Sequence, residues 1–309
     1  MSRALQENVA QVLKGKPETV RLAVACFLAE GHLLIEDLPG TGKTSLARAM
    51  AQSVGGSVKR VQFTPDLLPS DITGTSIYRP NEGEFVFREG PAFANVLVAD
   101  EVNRASPKTQ AALLEVMEER QVTVDGVSRL VPRPFMVVAT QNPMDFHGTY
   151  PLPEVQLDRF AMRISIGYAD RATEMEVMAS PMAQQRVELT PVLRDDQVVR
   201  LLERIKAVTV SEPLRSYVAD IVMKSRTHPD LRLGISTRGT ITLLAVARAL
   251  AIGEGRAFVT PDDIKDLLTP VLAHRIAVTP AAELDGILPE HVLDTIVDGI
   301  DVPRLRLDE

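Results

Sequence analysis

One short segment limits the folds open to this chain more than any other. Residues Leu33 to Thr44 read LLIEDLPGTGKT: an apolar strand, a Gly-rich turn, then Lys-Thr at the opening of a helix. That order is the phosphate-binding loop, which needs a strand feeding a helix inside an α/β sheet. Its backbone N–H groups and the positive end of the helix hold the phosphates of a nucleotide. Lys43 is placed to reach the β- and γ-phosphates and the Thr44 hydroxyl to bind Mg²⁺, with Pro39, Gly40, Thr41, Gly42 and Ser45 completing the cradle. The full pattern opens on Gly, and here that position is Asp37. Asp tolerates turn geometry with positive φ, so the loop is expected to form.

The flanking sequence supplies the sheet. Pro17 to Glu30 predicts a helix, with Pro in its first turn, Val20, Val24, Phe27 and Leu28 at helical spacing, and Gly31 as the stop. His32 to Glu36, Val58 to Phe63, Asn95 to Ala99 and Pro134 to Thr140 predict strands. The last two are near-continuously apolar, as strands buried on both faces are. Lys43 to Val54 and Pro107 to Glu119 predict helices between them, giving a parallel sheet flanked by helices. Ile72 to Phe87 and Gln121 to Val131, the latter around Asp125-Gly126, predict two inserted β-hairpins. From about Asp195 the chain turns helical, over Asp195 to Lys206, Pro213 to Thr227, Thr237 to Ile252 and Pro261 to Thr269. The link Arg171 to Arg194 begins as a helix, and Pro303 to Glu309 reads as a loose tail. The expected division is an α/β core over 1–190 and a small all-α domain over 191–309.

A second motif follows the loop. Asn95 to Glu101 (NVLVADE) is an apolar strand ending in two acids, which places them at the sheet edge where open α/β folds bind ligands. Asp100 can hold the metal that bridges the phosphates, and Glu101 can orient and polarise the attacking water.

Charge and composition narrow the partners. Lys+Arg 34 against Asp+Glu 41 gives a net charge of −7, whereas a grip on nucleic-acid backbone runs on basic excess. Cys26 is alone and cannot form an internal disulfide. Met1 to Ala10 lacks the apolar core of a signal peptide. The longest apolar run, Ala23 to Ala29, is far short of the ~20 residues of a membrane span. A cytoplasmic chain with no membrane span is expected. The five histidines are scattered without zinc-site spacing, and His147 reads as loop structure.

The chain resembles AAA+ ATPases of the MoxR family from about residue 10 to 280. The likeness rests on LIEDLPGTGKT, VLVADEVNRASPKTQAALLEVMEE, VVATQNP, LPEVQLDRF, GISTRG and VTPDDI. In that family Asp is a frequent opener of the loop. The resemblance implies an AAA+ nucleotide-binding domain followed by a small helical lid, ATP hydrolysis with Mg²⁺, and assembly into homo-oligomeric rings, usually hexamers. It also implies protein clients, often with von Willebrand factor A domains. Asn142 matches the sensor-1 polar residue, and its place beyond an apolar strand beside the loop agrees. Arg159 matches the arginine finger that neutralises charge on a neighbour's γ-phosphate, with Arg104 a rival for that role. Arg238 matches sensor 2, serving either its own subunit or the next. The hairpins match inserts that face the pore or substrate in similar ATPases, and they carry Tyr78, Arg79, Phe85 and Arg129.

The leading expectation is a chaperone-like ATPase that remodels, assembles or activates a partner protein. Three readings compete with it. One is the ATPase subunit of a metal chelatase, another a nucleic-acid-stimulated motor, and the third a nucleotide-gated scaffold that scarcely hydrolyses ATP. The acidic balance argues against the motor, and the intact Glu101 and Asn142 against the scaffold.

Overall fold

The computed structural model describes residues 1–38, 40–142, 149–179 and 188–303. Pro39, His147 and residues 304–309 of the expected tail lie outside the described residues. Helices α1 (Ser2–Ala10) and α2 (Pro17–Leu28) lead into β1 (Leu33–Glu36), the loop, and α3 (Lys43–Ser53). Then come β2 (Val58–Gln62), α4 (Pro69–Thr73), β3 (Gly74–Arg79), β4 (Glu84–Glu89), β5 (Val96–Asp100) and α5 (Pro107–Glu119). The core closes with β6 (Gln121–Val124), β7 (Val127–Leu130), β8 (Met136–Gln141), α6 (Glu154–Leu157), β9 (Met162–Ile164) and α7 (Arg171–Ala179). The helical part holds α8 (Asp195–Lys206), α9 (Glu212–Thr227), β10 (Leu231–Leu233), α10 (Thr237–Gly253), α11 (Pro261–Leu267), β11 (Ala277–Val278), α12 (Pro280–Leu284) and α13 (Pro289–Asp298).

Five strands make one parallel sheet in the order β2-β5-β8-β1-β9. Successive side chains along a strand point to opposite faces, so one apolar strand feeds two cores. Leu33, Ile35, Val96, Val98, Met136 and Val138 pack toward α2 and α3. Leu34, Leu97, Ala99, Val137 and Ala139 pack toward α5. The register aligns Glu36 with Gln141 and Gln62 with Asp100, so the carboxyl ends of four strands share one edge. That edge carries the chemistry.

Some elements were not visible in the sequence. The first ten residues form a helix because Leu5 and Val9, four apart, are buried against the same core as α2. β9 is a fifth strand of only three residues, too short for a periodic signal, and it is held by pairing with β1. The helical part carries one short antiparallel pair, β10 with β11. Its expected fourth helix stops as α-helix at Leu267 and continues as a π-turn through Leu272, where Pro270 has no N–H for the regular bond. α10 packs on α2, so the apolar core runs unbroken from the sheet into the helical part.

Both expected hairpins form, as β3–β4 and β6–β7. They lean on each other. The Arg129 guanidinium lies 4.0 Å from the centre of the Phe87 ring, and Ser76 bonds Asp125 across the gap. Gly74 is obligatory, because a Cβ there would sit 2.3 Å from the Arg88 carbonyl oxygen. Among the described residues, no helix is long and apolar enough to cross a membrane.

Candidate functional site

The loop after β1 is built by four residues with three different tasks. Gly40 and Gly42 adopt φ of 85° and 94°, the left-handed region that Gly enters freely. Asp37 does not use positive φ, unlike the sequence expectation. Its buried carboxylate instead fastens the loop. Oδ1 accepts from the Leu38 N–H at 2.9 Å, and Oδ2 accepts from Ile166 at 2.8 Å and Gly167 at 2.7 Å, just beyond β9. Burial would push this carboxyl up, and the N–H donors of Gly167, Ile166 and Leu38 with the Thr41 hydroxyl outweigh it, holding it below the usual carboxylate range. Lys43 opens α3, and its ammonium donates to the carbonyls of Asp37 at 2.9 Å and Leu38 at 2.7 Å. Burial brings it below the usual lysine range, against the pull of the Asp37, Asp100 and Glu101 carboxylates.

Opposite the loop, β5 and β8 present their ends. Asp100 is buried at the end of β5, and Thr140 of β8 donates to its Oδ1 at 3.3 Å. The same Thr140 oxygen accepts the Glu101 N–H at 2.9 Å. Glu101 itself stands at φ 56° and ψ 51°, a strained conformation for a residue with a side chain, as is common where a site over-determines its backbone. Its Oε2 accepts from Arg104 at 2.8 Å. Together these groups line a cavity of about 360 Å³ that holds Gly40, Thr41, Gly42, Lys43, Thr44, Ser45, Asp100, Glu101 and Asn142. Thr44 and Asp100 offer hard oxygen donors beside the cradle, the set a small divalent cation shares with phosphate oxygens.

Arg159 and Arg238 do not line this cavity. They line another, of about 310 Å³, between α5, the turn after α6, α10 and the turn from α2 into β1. Arg159 ion-pairs with Glu118 at 3.0 Å, and Arg238 pairs with the same carboxylate. Next to Arg159, Asp158 accepts from the Ser236 hydroxyl at 3.0 Å and from Arg275 Nε at 2.9 Å. Ser236 in turn caps α10 by accepting the Gly239 N–H at 2.9 Å. Arg275 is almost fully buried and also donates to the carbonyls of Phe160 and Ala161 at 2.7 and 3.1 Å. Burial draws it below the usual arginine range, with Asp158 countering. So the segment carrying Arg159 and the helix carrying Arg238 are bolted together.

The family described as "ATPase family associated with various cellular activities (AAA)" matches residues 32–162, and the AAA lid domain matches residues 223–296. The Chaperone MoxR1 of Mycobacterium tuberculosis is 38% identical over 320 residues, covering 99% of this chain and 83% of that one. The chain belongs to the MoxR family of AAA ATPases. The uncharacterized protein YeaC of Bacillus subtilis is 45% identical over 97% of this chain and 94% of its own length. A Cytophaga hutchinsonii crystal structure, of a protein named only as a candidate ATPase, superposes with a TM-score of 0.90 at 36% identity, over 97% of this chain and 94% of that one. This MoxR-family chain is a nucleotide-binding, ATP-hydrolysing enzyme.

Sequence reasoning missed five participants: Arg60, Thr140, Glu118, Asp158 as an anchor, and Arg275. Arg60 of β2 lines the nucleotide cavity and pairs with Asp100. Arg275 left a readable trace, a charge beside His274 inside the otherwise apolar stretch Val271 to Val278. Glu118 left none, since an acid near a helix end is commonplace. His32 and His274 are structural. Val137 N–H donates to His32 Nδ1 at 2.9 Å, so Nε2 carries the proton and donates to Met117 O at 3.0 Å. Cys26 is inert, its thiol pushed up to about 12 by burial.

Proposed function

We propose that this MoxR-family ATPase works as a closed ring of identical subunits, six in number, in the cytoplasm. Hydrolysis there drives remodelling, assembly or activation of a protein client. The observation that carries the reading is the separation of charges. Lys43, Asp100, Glu101 and Asn142 surround one cavity, while Arg159 and Arg238 lie on another face. A full set of positive groups around one triphosphate then takes two copies of the chain. Arg104 pairs with Glu101 at the nucleotide cavity of its own chain, whereas Arg159 lies on another face, which favours Arg159 as the group offered across the interface.

In the reaction, backbone N–H groups of Gly40 to Lys43 hold the β-phosphate, and Lys43 leaves the loop carbonyls for the γ-phosphate. Glu101 polarises the attacking water and Asn142 orients it. Thr44 and Asp100 would hold Mg²⁺, which neutralises charge on the phosphate oxygens. Asp100 must then part from Arg60. Arg159 of the next subunit meets the charge growing on the γ-phosphate.

The hairpin tips are the best candidates for client contact, because the Tyr78 and Phe85 rings meet there, tilted at 5.2 Å, while staying exposed. A client with a von Willebrand factor A domain fits the family. A nucleic-acid client fits poorly with the net charge of −7. Specific ATPase activity followed against protein concentration, with particle mass read by light scattering in ATP, tests the ring. Activity should climb to a plateau as six-subunit particles form. Constant specific activity down to monomer concentrations would overturn it. Capture with the Glu101→Gln protein in ATP should enrich one client, and a salt-sensitive DNA stimulation of turnover would replace the protein client with nucleic acid.

A further inference from the structure

Two guanidinium groups repel, and here two of them meet. Arg159 follows α6 and Arg238 stands in the first turn of α10, yet both converge on Glu118 in the last turn of α5. Each carboxylate oxygen takes one arginine: Arg159 Nη2 lies 3.0 Å from Oε2, and Arg238 Nη2 donates to Oε1. Both side chains remain partly open, 29% and 42% exposed, at the cavity beside α5. The Arg159 Nε–H is buried without a hydrogen-bond partner. A flat two-oxygen anion met by one guanidinium at each oxygen offers charge-assisted contacts of the kind that phosphate oxygens also take from arginine.

We propose that Glu118 is a positioning residue: it holds Arg159 and Arg238 as a preformed pair that together meets the terminal phosphate of a nucleotide bound by a second copy of this chain. The inference rests on the ring reading above and deepens it, assigning Arg238 to the neighbour and joining the two arginines into one unit. Asp158 already fixes the backbone of both segments through Ser236 and Arg275. What is left to order is the side chains, and Glu118 orders them. Without its charge, mutual repulsion and rotamer freedom spread the pair. Charges set before the reaction stabilise the transition state without reorganising, and a misplacement of about 1 Å costs up to ~100-fold. Fold stability is not the reason for the pair, since partly exposed ion pairs contribute little to it.

Two variants, each inactive alone, make the test. The donor carries Lys43→Ala, which disables its own nucleotide cavity. The recipient carries Arg159→Ala and Arg238→Ala. Mixed, they should recover turnover, because the donor's arginines reach the recipient's ATP. Adding Glu118→Gln to the donor should lower the recovered kcat about 10-fold while KM for ATP moves less than about twofold. Glu118→Asp should recover part of the loss. Glu115→Gln, an exposed acid one turn earlier on α5, should change kcat less than about twofold. The melting midpoint of the Glu118→Gln donor should stay within about 2 °C. Recovered turnover indifferent to Glu118→Gln overturns the role of Glu118 and leaves the ring standing. An equal loss with Glu115→Gln marks general damage to α5 and also overturns it. No recovery even with Glu118 intact overturns the ring reading, and this proposal with it.

Discussion

At the nucleotide edge, Asp100, Glu101 and Asn142 each stand at or just beyond the end of a parallel strand, and Lys43 opens the helix that the loop after β1 feeds. On the arginine face, Glu118, Asp158, Arg159, Arg238 and Arg275 arrive from α5, the turn after α6, α10 and the segment before β11. The first region is positioned by the register of the sheet, so a side chain's place follows from its own few residues. The second is positioned by ion pairs between distant parts of the chain. The contrast separates two kinds of failure. Damage at the edge should stop chemistry in a protein that still folds, whereas damage on the arginine face can also loosen the helical part from the core.

Arg159→Ala sets the upper end of the expected effects. Turnover should fall by about 10³-fold or more, the scale of an arginine that completes a phosphoryl-transfer site, with nucleotide binding kept. Steady-state kinetics beside a fluorescent-nucleotide titration check it. If binding falls with turnover, Arg159 serves its own subunit and the two regions are one.

Asp158→Ala should strike stability instead. It leaves the buried Arg275 guanidinium without its carboxylate partner and frees the cap of α10, at a cost of about 3–5 kcal/mol. Denaturant unfolding measures this. A loss under about 1 kcal/mol would mean that the arginine face is not held by this ion pair.

The smallest expected effect belongs to two buried histidines, both on the arginine side. His32 precedes β1 and bonds Met117 O at 3.0 Å beside the arginine cavity, and His274 bonds Phe160 O at 3.0 Å on the same side. Both are pushed down to about 3, by burial first and then by a neighbouring arginine. Their folded values lie below the unfolded value of ~6.5, so the stability they carry is whole above that pH. It is lost as pH falls from there toward 3, by up to ~1.4 kcal/mol per unit for each histidine. Unfolding at pH 7.5, 6.5 and 5.0 should weaken only slightly between the first two, by under about 1 kcal/mol, and far more by the third. A matching drop between pH 7.5 and 6.5 would contradict the assignment.

The same contrast explains what could be read from the sequence. The loop and the Asp100-Glu101 pair were legible because their chemistry is contiguous and an apolar strand marks each one. The sheet's main strands and both hairpins were legible for the same reason, through local periodicity and turn residues. β9 was not, because three residues carry no period and only β1 holds them in place. Asp37 was legible as a departure from the loop pattern, but its actual task depends on Ile166 and Gly167, about 130 residues away. Arg159 and Arg238 were picked out through family likeness. Their meeting at Glu118 depends on tertiary packing that no local pattern encodes.

Hydrolysis of ATP at the strand-end edge through Glu101 is exposed by one paired measurement. ATP binding and steady-state turnover are measured on the same preparations of wild type and Glu101→Gln. Binding should stay within a few-fold of wild type while turnover falls by about 100-fold or more. Turnover retained in the variant at full nucleotide occupancy would contradict it.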